Sequence, residues 1–261
     1  MVFHLVVPFF TDLFTFIGWA YAPTLAALRD DPTLLLQPLT LRRVAFAAIW
    51  TKLSEHVDEN ARPTKQKLVT PHAYGTVLEI GAGFGVTMRY LDRTKVIKYI
   101  AVEPNPGMHV HIRRVAAEVG FSEYDGTLEI LPVFADQIGT VLERHSIDTL
   151  ISILTLCSIP RAESILPGLV QYAIKPGGQF LTYEHVNNPI PSVYFLQRLL
   201  SPLWSSLLDG CTIGLPCHVW VDRADDWEVR EVFDKDDETP DNLFIHKAGR
   251  FVRRKSSERL Y

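Results

Sequence analysis

The stretch that most constrains this chain is Thr76–Gly85, TVLEIGAGFG. Val77, Leu78 and Ile80 form a short apolar run of the kind that makes a strand buried on both faces of a parallel sheet. Gly81, Gly83 and Gly85 then alternate, and an amphipathic segment, Val86 to Leu91, follows. Strand, glycine turn and helix in that order are the first unit of a doubly wound α/β sheet. Glycine suits such a turn because it takes up backbone angles that other residues avoid and lets a ligand approach the main chain. A second apolar run, Tyr99 to Val102, ends at Glu103, which places a carboxylate at the carboxyl end of the next strand. A carboxylate there can accept hydrogen bonds from both hydroxyls of a ribose.

Two common nucleotide-binding patterns are absent. The dinucleotide fingerprint G-x-G-x-x-G requires a different glycine spacing, because position 86 is valine, and no Gly-Lys-Ser/Thr sequence cradles a triphosphate. What stands is acid, turn, acid: Glu79, Gly81, Gly83, Gly85, then Glu103. Further units follow in order. A helix is expected from Pro104 or Pro106 to about Val119, and a third strand over Leu128–Val133. Asp136 lies just beyond that strand and either serves a site there or caps the segment Ile138–Arg144. Ile147–Leu156, IDTLISILTL, reads as a central strand leading to Cys157, Ser158 and Ile159 at the top of the sheet. Cys157 also fits the role of a small core residue. A helix over Ala162–Ala173, the turn Lys175-Pro176-Gly177-Gly178 and a strand over Gln179–Glu184 come next. Alternating patterns in Trp227–Phe233 and Leu243–Val252 suit a closing antiparallel hairpin.

The spacing Glu79-x-Gly81-x-Gly83-x-Gly85 with Glu103, together with KPGGQFLTYEHV, resembles the class I methyltransferases that use S-adenosylmethionine. The resemblance implies an α/β fold: a Rossmann-like seven-stranded sheet, mostly parallel with an antiparallel C-terminal hairpin, flanked by helices. It also implies cofactor binding by Glu79, Gly81, Gly83, Gly85, Glu103, Asp136 and Leu156, with Glu103 on the ribose and Asp136 on the adenine amino group. The segments LTLCSI, YEHV and Leu208-Asp209-Gly210-Cys211 are similar to the membrane-associated thiol S-methyltransferases of the methyltransferase-like seven group. That narrower likeness spans roughly residues 40–255 and implies a small lipophilic acceptor, such as an alkyl thiol. It also implies attachment to the cytosolic face of the endoplasmic reticulum or of lipid droplets. TIGLPCHVW at Thr212–Trp220 and the long acidic stretch Asp222–Asp241 depart from the group's pattern where acceptor pockets form. O-, N- or C-methylation of a natural product or quinone-like ring therefore stays open, as does a cofactor-binding protein without catalysis. Catalytic candidates are His185 and Asp209, with Tyr183 shaping the pocket; the alternatives are a loop histidine and a turn or cap aspartate.

Three regions follow: a hydrophobic segment 1–39, a cap helix and linker 40–71, and a methyltransferase domain 72–261. Over residues 1–28 the only formal charge is Asp12, and aromatic residues abound. The length could span a bilayer. Pro8, Asp12 and Pro23 interrupt it, so it reads either as a helix pair covering the active site or as a monotopic attachment to a lipid surface, the second being favoured. No secretory signal or lipidation motif is expected. Apolar residues at helical spacing in Thr40–Val57 mark a lid helix, and the polar stretch Asp58–Pro71 a linker. The net charge of −4 gives no general attraction to nucleic acid. Three cysteines, Cys157, Cys211 and Cys217, argue against a disulfide framework and suit a reducing compartment. No His/Cys run has the linear spacing of a zinc site, so no metal is expected. The sequence carries no signal for an oligomeric state. The end, RRKSSERLY, reads as a solvated, frayed terminus.

Overall fold

A computed structural model describes residues 3–255. The expectations for residues 1 and 2 and for the tail beyond 255 lie outside those residues. Seven strands form one sheet in the order β3-β2-β1-β4-β5-β7-β6. They are β1 Gly75–Ile80, β2 Val96–Val102, β3 Leu128–Leu131, β4 Ile147–Ile153, β5 Ile174–His185, β6 Trp227–Asp234 and β7 His246–Arg253. β1 to β5 pair in parallel, and β7 pairs antiparallel with both β5 and β6. The strand order reverses between β1 and β4, so the crevice at their carboxyl ends is where an open α/β sheet takes its ligand.

Strand residues alternate between two cores. Val77, Tyr99, Ile151 and Leu181 face one side, covered by helices α2 (Pro38–His72) and α3 (Pro106–Val119). Leu78, Ile100, Leu150 and Phe180 face the other, covered by α4 (Ala162–Ala173) and α6 (Cys217–Arg223). A third cluster lies above the carboxyl ends of the strands. There α1 (Phe3–Asp30) lays Phe9, Leu13 and Phe16 on Leu196, Leu200 and Trp204 of α5 (Pro191–Leu207) and on Ile49 of α2.

Several local expectations are corrected. The supposed linker 58–71 is the second half of α2, which runs unbroken for 35 residues. Its buried residues Ser54, Asp58, Ala61, Lys65 and Leu68 recur at three- and four-residue spacing, a helical stripe disguised by polar side chains. Pro63 sits on the exposed face, where water can hydrate the carbonyl its missing N–H leaves free. Phe3–Asp30 form one helix rather than two, with Pro8 and Pro23 also on the outer side. After the glycines the chain makes only a short 3-10 turn, Val86–Tyr90, and the segment around Ile138 is another, Ala135–Thr140. The third strand stops at Leu131 and the fourth at Ile153.

Candidate functional site

One cavity of about 920 Å³ opens at the carboxyl ends of β1, β2, β4 and β5. Gly81, Gly83, Glu103, Asp136, His185 and Asp209 all line it, so six of the nine residues singled out in the sequence converge on one space. Glu79, Gly85 and Leu156 do not. Leu154 has left-handed backbone, with φ of 54°, and the Leu156 side chain lies in the core with residues of α4. Leu154 and Thr155 face the cavity in its place.

The glycine loop is shaped by what touches it. Gly81 and Gly83 have φ of 61° and 55°, in the left-handed region. A Cβ on Gly81 would collide with the Thr155 side chain, and one on Gly83 would stand 3.0 Å from Trp50 Nε1. Trp50 belongs to α2, whose Phe46, Ala47 and Trp50 pack on Phe84, Val86 and Met108. The lid expected over residues 40–57 therefore sits directly on the loop.

Glu103 is almost fully buried at the end of β2. Its two carboxylate oxygens accept the backbone N–H groups of Gly83 and Asn105, each at 2.9 Å. Burial pushes its carboxyl up to about 7, against the pull of those two hydrogen bonds. Glu79 lies behind the loop, also fully buried, and accepts a hydrogen bond from the Tyr99 hydroxyl. Burial raises it to about 7 as well, with the hydrogen bonds from Tyr99 and Thr87 opposing. Asp136 stands exposed at the rim beside Phe134, whose ring carries the Arg43 guanidinium 5.0 Å from its centre.

The opposite end of the cavity is built from β5, the turn after β4 and the loop after α5. His185 ends β5, and its Nε2 lies 3.3 Å from Cys211 Sγ. Cys157 Sγ lies 3.4 Å from the same sulfur. A backbone bond from Thr212 N–H to the Cys157 carbonyl, 3.0 Å, holds the two cysteine segments together. Glu184 fixes the turn that carries Cys157, accepting the Ser152 hydroxyl at 2.6 Å and the Thr155 and Leu156 N–H groups at 3.2 Å. The hydrogen bond from Cys157 holds the Cys211 thiol well below its ordinary range; burial opposes this and His185 adds to it. The Cys157 thiol is pushed up correspondingly by its bond to Cys211 and by burial. Burial lowers His185, but neighbouring Cys211 more than offsets that, and its pKa is raised.

Asp209, with φ of 45°, does not reach this cluster. It holds Arg42 of α2 across the cavity mouth at 3.2 Å. Tyr183 lines the cavity as expected, stacked on His246 with ring centres 5.0 Å apart. His246 in turn bonds Glu238 at 2.7 Å from the β6–β7 connection. That acidic stretch supplies Lys235, Asp237, Glu238 and Thr239 to the wall. Neither this pair nor the role of Cys211 was visible in the sequence, because each depends on strands that meet only in the fold.

A methyltransferase domain family matches residues 78–182. Rat thiol S-methyltransferase TMT1B is 28% identical over 156 residues, which cover 59% of this chain and 61% of that protein. The match thus spans about three fifths of that relative's length. Human thiol S-methyltransferase TMT1A is 26% identical over 182 residues, covering 69% of this chain and 72% of that protein. Among solved structures, an O-methyltransferase family protein from Burkholderia thailandensis superposes with a TM-score of 0.58 at 13% identity, covering 89% of this chain and 71% of its own. A geranyl diphosphate methyltransferase in complex with GPP and sinefungin gives a TM-score of 0.56 at 15% identity, covering 75% and 77%. Both share the fold. By fold, domain and sequence likeness, this chain is similar to known methyltransferases and related to the thiol S-methyltransferases TMT1A and TMT1B.

Proposed function

We propose that the chain methylates a small lipophilic thiol with S-adenosylmethionine. The observation that carries this reading is one continuous cavity whose wall runs from Gly81, Gly83 and Glu103 at one end to His185 and Cys211 at the other. The residues suit the cofactor. Gly81 and Gly83 keep a cradle that a Cβ would fill, and Trp50 Nε1 beside it is a buried donor without a partner among the described residues. Glu103 is placed to accept ribose hydroxyls, and Asp136 and Phe134 form an edge that fits adenine. Glu79 and Gly85 support the loop from behind.

The cofactor supplies a methyl group on a sulfonium, ready for in-line displacement. The chain's own contribution is to orient the acceptor and to exclude water. Phe16, Phe46, Leu53 and Phe244 give the cavity an apolar lining that suits a lipophilic acceptor. The thiolate is the reactive form of a thiol acceptor, so a polar environment that favours the ionised form assists transfer. His185 and Cys211 are the polar groups at that end. Asp209, occupied by Arg42, acts on the lid rather than on the acceptor.

The test is to supply methyl-labelled cofactor with a mixture of small thiols, phenols, amines and quinols and to identify the labelled product. Label on sulfur is expected. Label on oxygen, nitrogen or ring carbon keeps the methyltransferase and overturns the thiol assignment, whereas cofactor binding with no transfer to any of them overturns catalysis on this chemistry.

The same arrangement supports attachment to a lipid surface. The helix spanning His4–Asp30 is long and apolar enough to cross a membrane by length and composition. Here one face packs on α5, and Asp12 and Phe16 line the cavity, so α1 also closes the site. Its other face leaves Val7, Phe14, Ile17 and Tyr21 exposed, and α5 leaves Phe195, Leu199 and Leu203 exposed at four-residue spacing. A monotopic surface with these two rows in the headgroup layer uses both faces of α1. A cytosol-facing membrane or lipid-droplet surface is the compartment this suits, and it would deliver lipophilic acceptors beside the cavity. Phe14 and Phe195 are 69% and 68% exposed, so Phe14→Asp with Phe195→Asp removes little folding energy. The wild-type protein should float with phosphatidylcholine vesicles and the double variant should stay in solution. A wild-type chain that never floats contradicts attachment.

A further inference from the structure

We propose that Cys157, His185 and Cys211 form a zinc site at the acceptor end of the cavity, with a thiol from the cavity as the fourth ligand. The inference rests on the thiol reading for its substrate, but the ion site stands on its own geometry. Sγ of Cys157, Sγ of Cys211 and a ring nitrogen of His185 all lie within 4.8 Å of one another. Bond lengths of about 2.3 Å to sulfur and 2.0–2.1 Å to nitrogen give tetrahedral edges of about 3.8 Å between sulfurs and 3.6 Å between sulfur and nitrogen. The observed 3.4 Å and 3.3 Å need only a few tenths of an ångström of expansion.

The chemistry of the donors selects the metal. Two sulfurs and one imidazole suit zinc, not the hard cations that prefer oxygen. Three protein ligands are the number found in catalytic zinc sites, where the fourth direction is left to water or substrate. Two of the three, His185 and Cys211, line the cavity, so that direction is accessible to an acceptor. His185 Nδ1 is buried with no hydrogen-bond partner among the described residues, so Nε2, aimed at Cys211, is the ring atom that the protein engages. The cluster is also built to hold its shape. The Thr212–Cys157 backbone bond and the three hydrogen bonds to Glu184 fix the segments bearing both cysteines before any ion arrives.

Zinc takes both cysteines as thiolates, any remaining thiol proton leaving to solvent, and binding the acceptor R–SH as its thiolate releases one more. Transfer then forms the S–CH₃ bond of the product and breaks the CH₃–S⁺ bond of the cofactor. Thiolate and sulfonium charges cancel, and the neutral thioether is a weaker ligand that leaves. With zinc present His185 is a ligand and no general base is needed.

The experiment measures zinc by mass spectrometry on the full chain purified under reductant without chelators, then replaces it with cobalt(II) for absorption spectra. Wild type should carry close to one zinc per chain, as expected for a single tetrahedral site. Its cobalt form should show sulfur-to-cobalt charge transfer and intense tetrahedral bands, which shift when butanethiol is added. Cys157→Ser and Cys211→Ser should each lower bound zinc by roughly tenfold or more. Their affinity for S-adenosylhomocysteine should be unchanged, which shows that both variants fold. Wild type that methylates butanethiol while holding no metal overturns the zinc site and leaves the thiol reading intact. Zinc that depends on both cysteines, in a chain that methylates no thiol, supports the site and overturns the acceptor. Zinc unaffected by either substitution places the metal elsewhere and overturns the proposal.

Discussion

Glu103→Ala should weaken S-adenosylmethionine binding by roughly 100-fold, about 3 kcal/mol, because hydrogen bonds to a charged carboxylate contribute about 1.5–3 kcal/mol each. Two causes act together. The carboxylate meets the ribose directly in the proposed pose, and it also holds the Gly83 and Asn105 N–H groups that shape the loop. Glu103→Gln retains the outline of the side chain but not the charge and should recover only part of the loss. The pH dependence has a definite sign. Burial pushes Glu103 up to about 7, so below that pH it holds a proton that must leave before it can accept from both hydroxyls. Affinity should therefore rise as pH increases through about 7, and this rise should vanish in Glu103→Ala. Calorimetric titration of both proteins across that range decides it. Affinity within about threefold of wild type in Glu103→Ala would remove Glu103 from the cofactor site.

The largest stability effect is expected from Lys65→Ala, at about 3–5 kcal/mol, the usual cost of breaking a buried ion pair from one side. Lys65 Nζ lies 2.8 Å from Asp58 Oδ1, with side-chain exposures of 3% and 2%. The Tyr90 hydroxyl donates to the other Asp58 oxygen at 3.0 Å, and Arg89 stands 3.8 Å from it. Removing Lys65 leaves a carboxylate desolvated between α2 and the turn after the glycine loop. Replacing both partners, Asp58→Leu with Lys65→Met, removes the charge and its partner together and should cost much less. Chemical denaturation of the two variants tests this. Equal losses would show that the pair is not coupled as described.

These two predictions fall on opposite sides of what the sequence made legible. Glu103 could be found because it ends an apolar run one unit after the glycine loop, and strand-loop-helix signals are local. The order of the core elements followed for the same reason, with Ala162–Ala173 appearing as a helix between those limits. Lys65 was hidden. Its stretch holds two prolines and many charges, which ordinarily mark a linker, and only the three- and four-residue recurrence of Asp58, Ala61, Lys65 and Leu68 betrays a buried face. The ion pair is what allows polar residues to lie there. Cys157, His185 and Cys211 were hidden differently. They sit on a turn, a strand end and a loop that converge only when β4 and β5 pair and the chain returns after α5. Linear spacing carries no trace of that. Leu156 misled because an apolar run does not show where its strand ends: with left-handed backbone at Leu154, Leu154 and Thr155 face the cavity while the Leu156 side chain turns into the core.

The central claim is that this cavity brings a sulfonium methyl and a thiol together. Its most direct test is single-turnover transfer from methyl-labelled cofactor, bound to the protein, to butanethiol and separately to butanol. The account predicts that label leaves the cofactor and appears as methyl butyl sulfide, with no labelled ether from the alcohol. Label passing equally to the alcohol, or remaining on the cofactor while butanethiol is bound, would contradict it.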